Sequence, residues 1–349
     1  MQVLLAGATG AIGRPLIRAL TANGHTVFAL VRNPNAHPLV RELGATPVTA
    51  DVLDREALLR AVDGLRADAV IHQATALREV KVQRRIPADD PTGLLRTVGT
   101  ATLLEAASVV GAGRFVTQSL ILGYGYHDHG DRLVTERDRF GVYDGGVADE
   151  VVHACVSGER QVFDAPGVDG IALRYGLFYG PGAFSDLFAD LMRKHAPVGP
   201  LGSGGVNTWV HVEDAAAATV AALERGVPGR AYNIADDNPI TWQEFFAEVA
   251  RSHRDSPPDP PARVDDPTGG ALSRRAHVGY FDADLQPVGR RRIGLEPSVF
   301  QRFRRSRRLT GSIHRFRMRL AGQCGALATT AARSWPGITS MSAGRACSR

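Results

Sequence analysis

The chain lacks long hydrophobic runs and has few cysteines. No stretch of eighteen or more apolar residues occurs, so no membrane-spanning helix is expected. Met1 leads directly into an apolar segment without a basic leader, which predicts a cytoplasmic protein without a signal peptide. The cysteines Cys155, Cys324 and Cys347 are odd in number and have unrelated spacings, which fits neither a disulfide framework nor a zinc site. Reduced thiols are therefore expected.

Acidic residues are nearly absent from the C-terminal part, where arginine accumulates. Residues 290–319 contain eleven Arg and one acid, Glu296, and no acid follows them. The net charge of +5 belongs to this part, because residues 1–289 carry about −8. We expect residues 256–349 to be a Pro/Arg-rich linker and a disordered tail, or the product of an altered reading frame. Aromatic residues are too sparse among the arginines to predict nucleic-acid binding.

Apolar runs alternate with helical patterns over the first 255 residues. This alternation predicts an α/β fold with a Rossmann-type, doubly wound parallel sheet. We expect residues 1–175 to form a dinucleotide-binding domain and residues 176–255 to form a small substrate lobe interleaved with the last sheet elements. The predicted strands are 2–6, 26–31, 46–50, 69–72, 114–118, 170–175 and 231–234, and the predicted helices are 11–23, 38–43, 54–62, 92–110, 147–163, 187–194, 214–224 and 241–252.

A glycine-rich turn follows the first predicted strand and opens the first predicted helix. Its sequence is Gly7-Ala8-Thr9-Gly10-Ala11-Ile12-Gly13. Such a turn brings backbone N–H groups and the positive end of a helix dipole to a pyrophosphate, and side chains at the glycines would block that approach. The expected ligand is a dinucleotide, and the alternative is a purely structural turn.

A second loop carries side chains of the types that bind metals. Its sequence is His127-Asp128-His129-Gly130-Asp131. Alternate spacing in a Gly-flanked loop lacks the paired frame of ligands that metal sites use. A solvated polar loop is expected, and no metal.

Several short motifs together resemble the extended short-chain dehydrogenase/reductase superfamily, in its NAD(P)-dependent epimerase/dehydratase group with atypical members included. The resemblance spans roughly residues 1–255 and rests on the shared order of the motifs. Besides the glycine-rich turn, they are Asp51-Val52, Val70-Ile71-His72-Gln73-Ala74, Phe115-Val116-Thr117-Gln118-Ser119, Leu173-Arg174-Tyr175-Gly176, Tyr179-Gly180-Pro181-Gly182 and Val210-His211-Val212-Glu213-Asp214.

The resemblance implies where a nicotinamide cofactor binds. It places the glycine-rich turn, residues 7–13, at the pyrophosphate, Asp51 and Val52 beside the adenine, and Ala74 near the nicotinamide ribose. The residue after the second strand, Arg32, suits a 2′-phosphate, whereas NAD enzymes usually have an acid there. The expected cofactor is therefore NADP, with NAD as the alternative.

The family's chemistry uses a Ser, a Tyr and a Lys four residues after that Tyr. Ser119 matches the Ser position. Alignment on Glu159 places Val151 at the Tyr position and Cys155 at the Lys position, so the pair is broken. Cys155 is expected to be a packed core thiol.

Three residues are the catalytic candidates that remain, Ser119, Tyr124 and Tyr143; Tyr126 and His153 are weaker substitutes. The resemblance implies an oxidoreductase or epimerase acting on a carbonyl compound or a nucleotide-sugar-like small molecule, and it allows a homodimer. The alternative is a catalytically inactive NADP(H)-binding sensor or regulatory protein.

Overall fold

Strands and helices alternate in the computed structural model, which describes residues 1–77, 89–127, 129, 134–146, 148–195 and 206–253. The strands are β1 (Gln2–Ala6), β2 (Thr26–Val31), β3 (Thr46–Thr49), β4 (Ala69–His72), β5 (Arg114–Leu120), β6 (Asp169–Tyr175), β7 (Leu177–Tyr179), β8 (Val206–Asn207), β9 (Trp209–His211), β10 (Arg230–Ile234) and β11 (Ile240–Thr241). The helices are α1 (Gly13–Ala22), α2 (His37–Glu42), α3 (Arg55–Val62), α4 (Pro91–Val110), α5 (Asp149–Phe163), α6 (Phe184–Arg193), α7 (Val212–Arg225) and α8 (Trp242–His253).

Seven strands form one sheet in the order β10-β6-β5-β4-β1-β2-β3. Every pairing in it is parallel. The chain builds outward from β1 to β3, and then returns to place β4 on the other side of β1. At such a reversal the loops leave a crevice beyond the carboxyl ends of the strands, where ligands bind. The predicted doubly wound α/β fold is confirmed.

Helices cover both faces of this sheet, and successive side chains of β1 divide between the two cores. Val3 and Leu5 pack with α1 and α7, whereas Leu4 and Ala6 pack with α3 and α4. All four side chains are fully buried. This explains why β1 is apolar at consecutive positions, because a strand of a parallel sheet is enclosed on both faces.

A third apolar cluster belongs to the short strands and to helices α6 and α8. The rings of Trp209 and Phe245 stack with centroids 3.7 Å apart and planes inclined by 9°. A capping box lies at the start of α8. Thr241 N–H donates to Glu244 Oε2 at 2.8 Å, and Glu244 N–H donates to Thr241 Oγ1 at 3.1 Å.

Most differences from the predicted elements lie after residue 176. Helix α6 begins at Phe184 rather than at residue 187, and strands β7, β8, β9 and β11 were not predicted. Two or three residues are too few to show an alternating pattern, so such strands leave no signal in the sequence. The predicted tail, residues 256–349, lies outside the described residues. None of the described helices has the length and apolarity needed to cross a bilayer.

Candidate functional site

The turn between β1 and α1 depends on two glycines that no other residue could replace without strain. Gly7 has a φ of +88°, and a Cβ added there would lie 2.4 Å from the carbonyl carbon of Gln73. A Cβ on Gly13 would lie 2.1 Å from Gly7 O. The two glycines therefore allow the turn to pack against β4 and allow α1 to begin directly on the turn.

Gly10, in contrast, has room beside it apart from one close contact among the described atoms. Its N–H donates to Gly7 O at 3.0 Å, and a Cβ added there would meet only Gly7 O, at 3.2 Å. No side chain caps the N-terminus of α1, and its first turn contains no acidic residue. Thr9 and Ala11 are half-buried, and Ile12 packs into the core. The geometry fits an anionic bridge that approaches over Gly10.

The residues predicted beside the adenosine lie at the carboxyl ends of β2 and β3. Arg32 is exposed and directly follows β2. Asp51 accepts a hydrogen bond from Leu53 N–H at 2.9 Å, which shapes the turn before α3. Val52 is buried and lies below Gly99 of α4, where a Cβ would come within 3.0 Å of Val52 Cγ1. These positions are compatible with an adenosine over the ends of β2 and β3.

Ala74 follows β4 at the crevice and is 8% exposed. Its N–H donates to His72 Nδ1 at 3.3 Å, while His72 Nε2 donates to Leu95 O at 2.9 Å. Both ring nitrogens of the buried imidazole are therefore hydrogen-bonded, one as a donor and one as an acceptor, which corresponds to a neutral ring. Burial, followed by the charge of Arg96, lowers its pKa to about 4, although the hydrogen bond to Leu95 opposes this shift.

Ser119 is fully buried near the end of β5. Among the described residues its Oγ has no nitrogen or oxygen partner, but it contacts the Cys155 thiol. Burial raises the pKa of this thiol, and the charge of Arg96 opposes part of the increase. The structure thus brings Ser119 and Cys155 together, and Cys155 is a packed thiol, as predicted.

The two candidate tyrosines have different environments. Tyr124 is buried; its hydroxyl donates to Asn233 Oδ1 at 2.8 Å and accepts from Arg174 Nη1 at 2.8 Å. Burial raises the pKa of this phenol. Tyr143 is 49% exposed. The hydrogen bonds of Tyr124 connect β10 and β6, so its hydroxyl has a structural function whatever its catalytic role.

The face of α5 where the resemblance expects Tyr and Lys is apolar. Val151 and Cys155 are 3% and 1% exposed, and they pack with Leu77, Leu120 and Phe140. His153, on the same helix, is exposed. His153 therefore does not belong to the buried face.

Arg96 and Gln118 are polar residues near Ser119 that the sequence reasoning missed as site residues. Arg96 is 3% exposed, and its Nε donates to Gln118 Oε1 at 3.3 Å. A signal was present in the sequence, because Arg96 stands on the same helical stripe as Thr100, Leu103 and Ala107. A charged residue on a helix face that is otherwise buried indicates that the charge has a specific partner or binds a ligand.

The predicted polar loop is described only in part. His127 is exposed and its Nδ1 lies 3.2 Å from Asp144 Oδ1. Asp128, Gly130 and Asp131 lie outside the described residues. Across the described ranges no three His, Cys, Asp or Glu side chains are grouped as metal ligands.

A family model named NAD dependent epimerase/dehydratase family matches residues 3–235. The chain belongs to this family. The match begins at β1 and ends after β10, so it includes the glycine-rich turn and the whole parallel sheet. The predicted resemblance to the extended short-chain dehydrogenase/reductases is confirmed.

Curated relatives of this epimerase/dehydratase-family protein include reductases. It is 39% identical over 269 residues to a 3-diazoavenalumate denitrifying reductase from Streptomyces sp., covering 74% of this chain and 83% of that protein. It is 27% identical over 271 residues to a 2-alkyl-3-oxoalkanoate reductase from Stenotrophomonas maltophilia, covering 71% and 74%. These relatives support the expectation that the family member is an enzyme of the oxidoreductase type.

Solved structures of sugar-nucleotide enzymes share the fold. A dTDP-glucose 4,6-dehydratase from Streptomyces venezuelae, solved with NAD, matches with a TM-score of 0.60 and 24% identity, covering 73% of this chain and 82% of that one. A UDP-glucuronic acid 4-epimerase from Bacillus cereus, solved with UDP-glucuronic acid and NAD, matches with a TM-score of 0.60 and 21% identity, covering 73% and 84%. At these identities the similarity establishes the architecture of the family member and not its substrate.

Proposed function

We propose that this protein is an NADP(H)-dependent reductase of a small electrophilic molecule. The single observation that carries the proposal is the glycine-rich turn. Gly7 and Gly13 close it tightly, and Gly10 leaves the approach to the uncapped N-terminus of α1 open. A pyrophosphate matches both the space and the polarity of this turn. Membership of an NAD-dependent family supports the same ligand.

Arg32 favours NADP over NAD. It is exposed directly after β2, and the segment 32–36 contains no Asp or Glu that could accept hydrogen bonds from a ribose 2′-hydroxyl. A guanidinium binds a phosphate through charge-assisted hydrogen bonds, which are stronger than neutral ones. Asp51, Val52 and Ala74 would complete the cofactor site along the carboxyl ends of β3 and β4.

The chemistry would combine a bound cofactor with few polar side chains of this chain. When bound, a nicotinamide dinucleotide supplies a hydride. Ser119 offers a buried hydroxyl that has no oxygen or nitrogen partner in the described part of the chain, so it is able to donate to a substrate oxygen. Val151 and Cys155 provide no phenol and no ammonium at the positions where the resemblance expects them, so α5 excludes water and does not relay protons.

The substrate would be a carbonyl compound, a nucleotide-sugar-like molecule or a diazo compound. The named substrates of relatives include an oxoalkanoate and a diazo compound. In the reduction of an aryl diazonium group, a hydride from the nicotinamide would form a C–H bond as the C–N bond breaks and dinitrogen leaves. This reaction requires no proton on a ketone oxygen, which is consistent with the apolar face of α5. The substrate would lie between the crevice and the lobe formed after residue 176, and a homodimer through the helices beside the sheet stays a prediction.

Turnover assays test the proposal directly. Purified protein is incubated with NADPH or NADH and with 3-oxoalkanoates, carboxylated aryl diazonium salts or UDP-sugars, and the nicotinamide absorbance is followed. We expect oxidation of NADPH with the oxo or diazo compounds. Tight NADPH binding without turnover of any of these compounds would contradict the enzymatic proposal.

A second candidate function is a catalytically inactive NADP(H)-binding protein. The observation that favours it is the burial of Val151 and Cys155 in an apolar cluster. Such a protein would bind NADPH with the affinity of an enzyme and would use occupancy of the site to bias a contact with a partner. A reaction rate that falls on Ser119→Ala substitution would exclude it.

A further inference from the structure

Arg96 is a buried cation that has no buried counter-charge in the part of the chain that the structure describes. It lies on α4, 3% exposed, and its only hydrogen bond in the described chain is from Nε to the neutral amide of Gln118. Among the described residues no carboxylate lies within 4.0 Å of its guanidinium, whereas the other deeply buried arginine, Arg174, has Glu159 at 2.6 Å. The charge of Arg174 is therefore neutralised by a carboxylate, whereas Arg96 has only a neutral amide as its described partner.

The side chain that Arg96 contacts is itself incompletely paired. Gln118 is 6% exposed and its Nε2 is fully enclosed without a partner in the described part of the protein. The adjacent Ser119 Oγ also has no nitrogen or oxygen partner there. The end of β5 and the facing turn of α4 thus present donors and no matching acceptor. Enclosed donors of this kind cost free energy unless a ligand accepts from them.

The described ionisable groups around Arg96 do not supply an anion for it. His72 is a neutral ring that supplies no anion, because burial lowers its pKa although the hydrogen bond to Leu95 O opposes this shift. The Cys155 thiol has a raised pKa, because burial opposes formation of the thiolate. Glu159 is committed to Arg174 through both carboxylate oxygens. A buried guanidinium that has no anionic partner among the described residues would be stabilised by an anionic oxygen group of a ligand.

The position of Arg96 beside the end of β5 indicates which molecule would supply that anion. On the proposed function, the pyrophosphate lies at the end of β1 and a 2′-phosphate lies at the end of β2. Strand β5 is two positions from β1, on the side opposite to β2, which is about 10 Å away at the usual strand spacing. The anionic groups of the cofactor would therefore lie at β1 and β2, away from β5, and the nicotinamide ring itself carries no anionic group.

We propose that Arg96 and Gln118 form a binding site for a carboxylate of the substrate. This inference rests on the proposed function and narrows its substrate class to small molecules that carry a carboxylate beside the reducible group. The planar guanidinium matches a carboxylate with two parallel hydrogen bonds. The Gln118 amide donates a further one.

The test uses benzoate as a carboxylate probe and benzamide as its neutral counterpart. The full-length protein is saturated with NADPH, binding of which is read by nicotinamide fluorescence in the same samples. Affinity for benzoate is measured from the shift in thermal unfolding, at constant ionic strength set by sodium chloride. Wild type, Arg96→Met and Arg96→Lys are compared, with the exposed Arg66→Met as the matched surface control.

Benzoate is expected to stabilise the wild type and Arg66→Met, and benzamide to stabilise neither. In Arg96→Met the dissociation constant for benzoate should rise roughly 10- to 100-fold, the scale of a hydrogen-bonded charge. Arg96→Lys should retain part of the effect, which covers the case in which Arg96→Met does not fold. Equal benzoate effects in wild type and both Arg96 variants, or none in the wild type, overturn the proposal. Failure of NADPH to bind is a separate result that overturns the proposed function alone.

Discussion

Arg174 and Glu159 form a bidentate ion pair that joins β6 to α5. Arg174 Nε donates to Glu159 Oε1 at 2.9 Å, and Nη2 donates to Oε2 at 2.6 Å. Both side chains are at least nine-tenths buried. The guanidinium also lies 3.6 Å from the ring centre of Phe140, which packs beside Val151 and Cys155. This pair therefore positions the helix that closes the site.

Glu159→Gln should destabilise the protein strongly. The substitution leaves the Arg174 guanidinium buried without a counter-charge, which costs about 3–5 kcal/mol. The matched control is Glu56→Gln, which breaks the exposed pair between Glu56 and Arg60 and should cost less than about 0.5 kcal/mol. The free energy of unfolding in urea measures both. Similar losses in the two variants would contradict a structural role for the buried pair.

Ser119→Ala should remove activity without loss of stability. The hydroxyl is fully enclosed and has no nitrogen or oxygen partner among the described residues, so its removal sacrifices no strong hydrogen bond. We expect the rate of substrate reduction to fall roughly 100-fold or more, the scale of one donor to a developing oxyanion. The exposed Ser108→Ala serves as control, and both unfolding midpoints are recorded. An unchanged rate in Ser119→Ala would exclude this hydroxyl from the chemistry.

The fold could be predicted from the sequence because local signals agreed with the global pattern. The apolar run before Gly7 and the Thr241–Glu244 capping box both predict the elements that the structure shows. The short strands β7 and β9 could not be predicted, since they depend on pairing with each other and show no period of their own. Leu177, Tyr179 and Trp209 of these strands gain free energy only when they pack in the tertiary cluster with Phe245.

The candidate site could be predicted only in part. Gly7, Gly10 and Gly13 follow a spacing rule that reports backbone geometry, so the sequence locates the turn. The environment of Tyr124 could not be inferred, because its partners Asn233 and Arg174 are distant in the chain. The lack of a carboxylate beside Arg96 among the described residues could likewise not be inferred, since it depends on packing in three dimensions.

Arg32→Ala should weaken NADPH binding more than NADH binding. The guanidinium is a cation at the end of β2 that suits a 2′-phosphate, and its loss should raise the dissociation constant for NADPH roughly 10-fold or more. NADH affinity should stay nearly unchanged, because NADH has no 2′-phosphate. Arg18→Ala, an exposed position on α1, is the matched control. Equal loss for both cofactors in Arg32→Ala would contradict the assignment.

His72 should make the protein less stable in mild acid. Its pKa is lowered from 6.5 to about 4 in the folded chain. At a pH between these two values the imidazole is therefore protonated in the unfolded chain and neutral in the folded chain. The free energy of unfolding should therefore fall by about 3 kcal/mol as the pH drops through this window, with no contribution above it. His72→Gln should remove this part of the pH dependence, and the exposed His153→Gln should not. The same slope in His72→Gln would refute the neutral buried imidazole.

Calorimetric titration with NADPH and NADH measures whether the turn of residues 7–13 binds a dinucleotide. Gly10→Ala adds a methyl group where only Gly7 O is near, so the variant should fold and yet obstruct the pyrophosphate. Gly113→Ala, where nothing lies within 4 Å, is the control. Wild type and Gly113→Ala should bind both cofactors, NADPH more tightly, and Gly10→Ala should bind them at least roughly 10-fold more weakly. Folded wild-type protein that binds neither cofactor, or Gly10→Ala with undiminished affinity, would contradict dinucleotide binding at this turn.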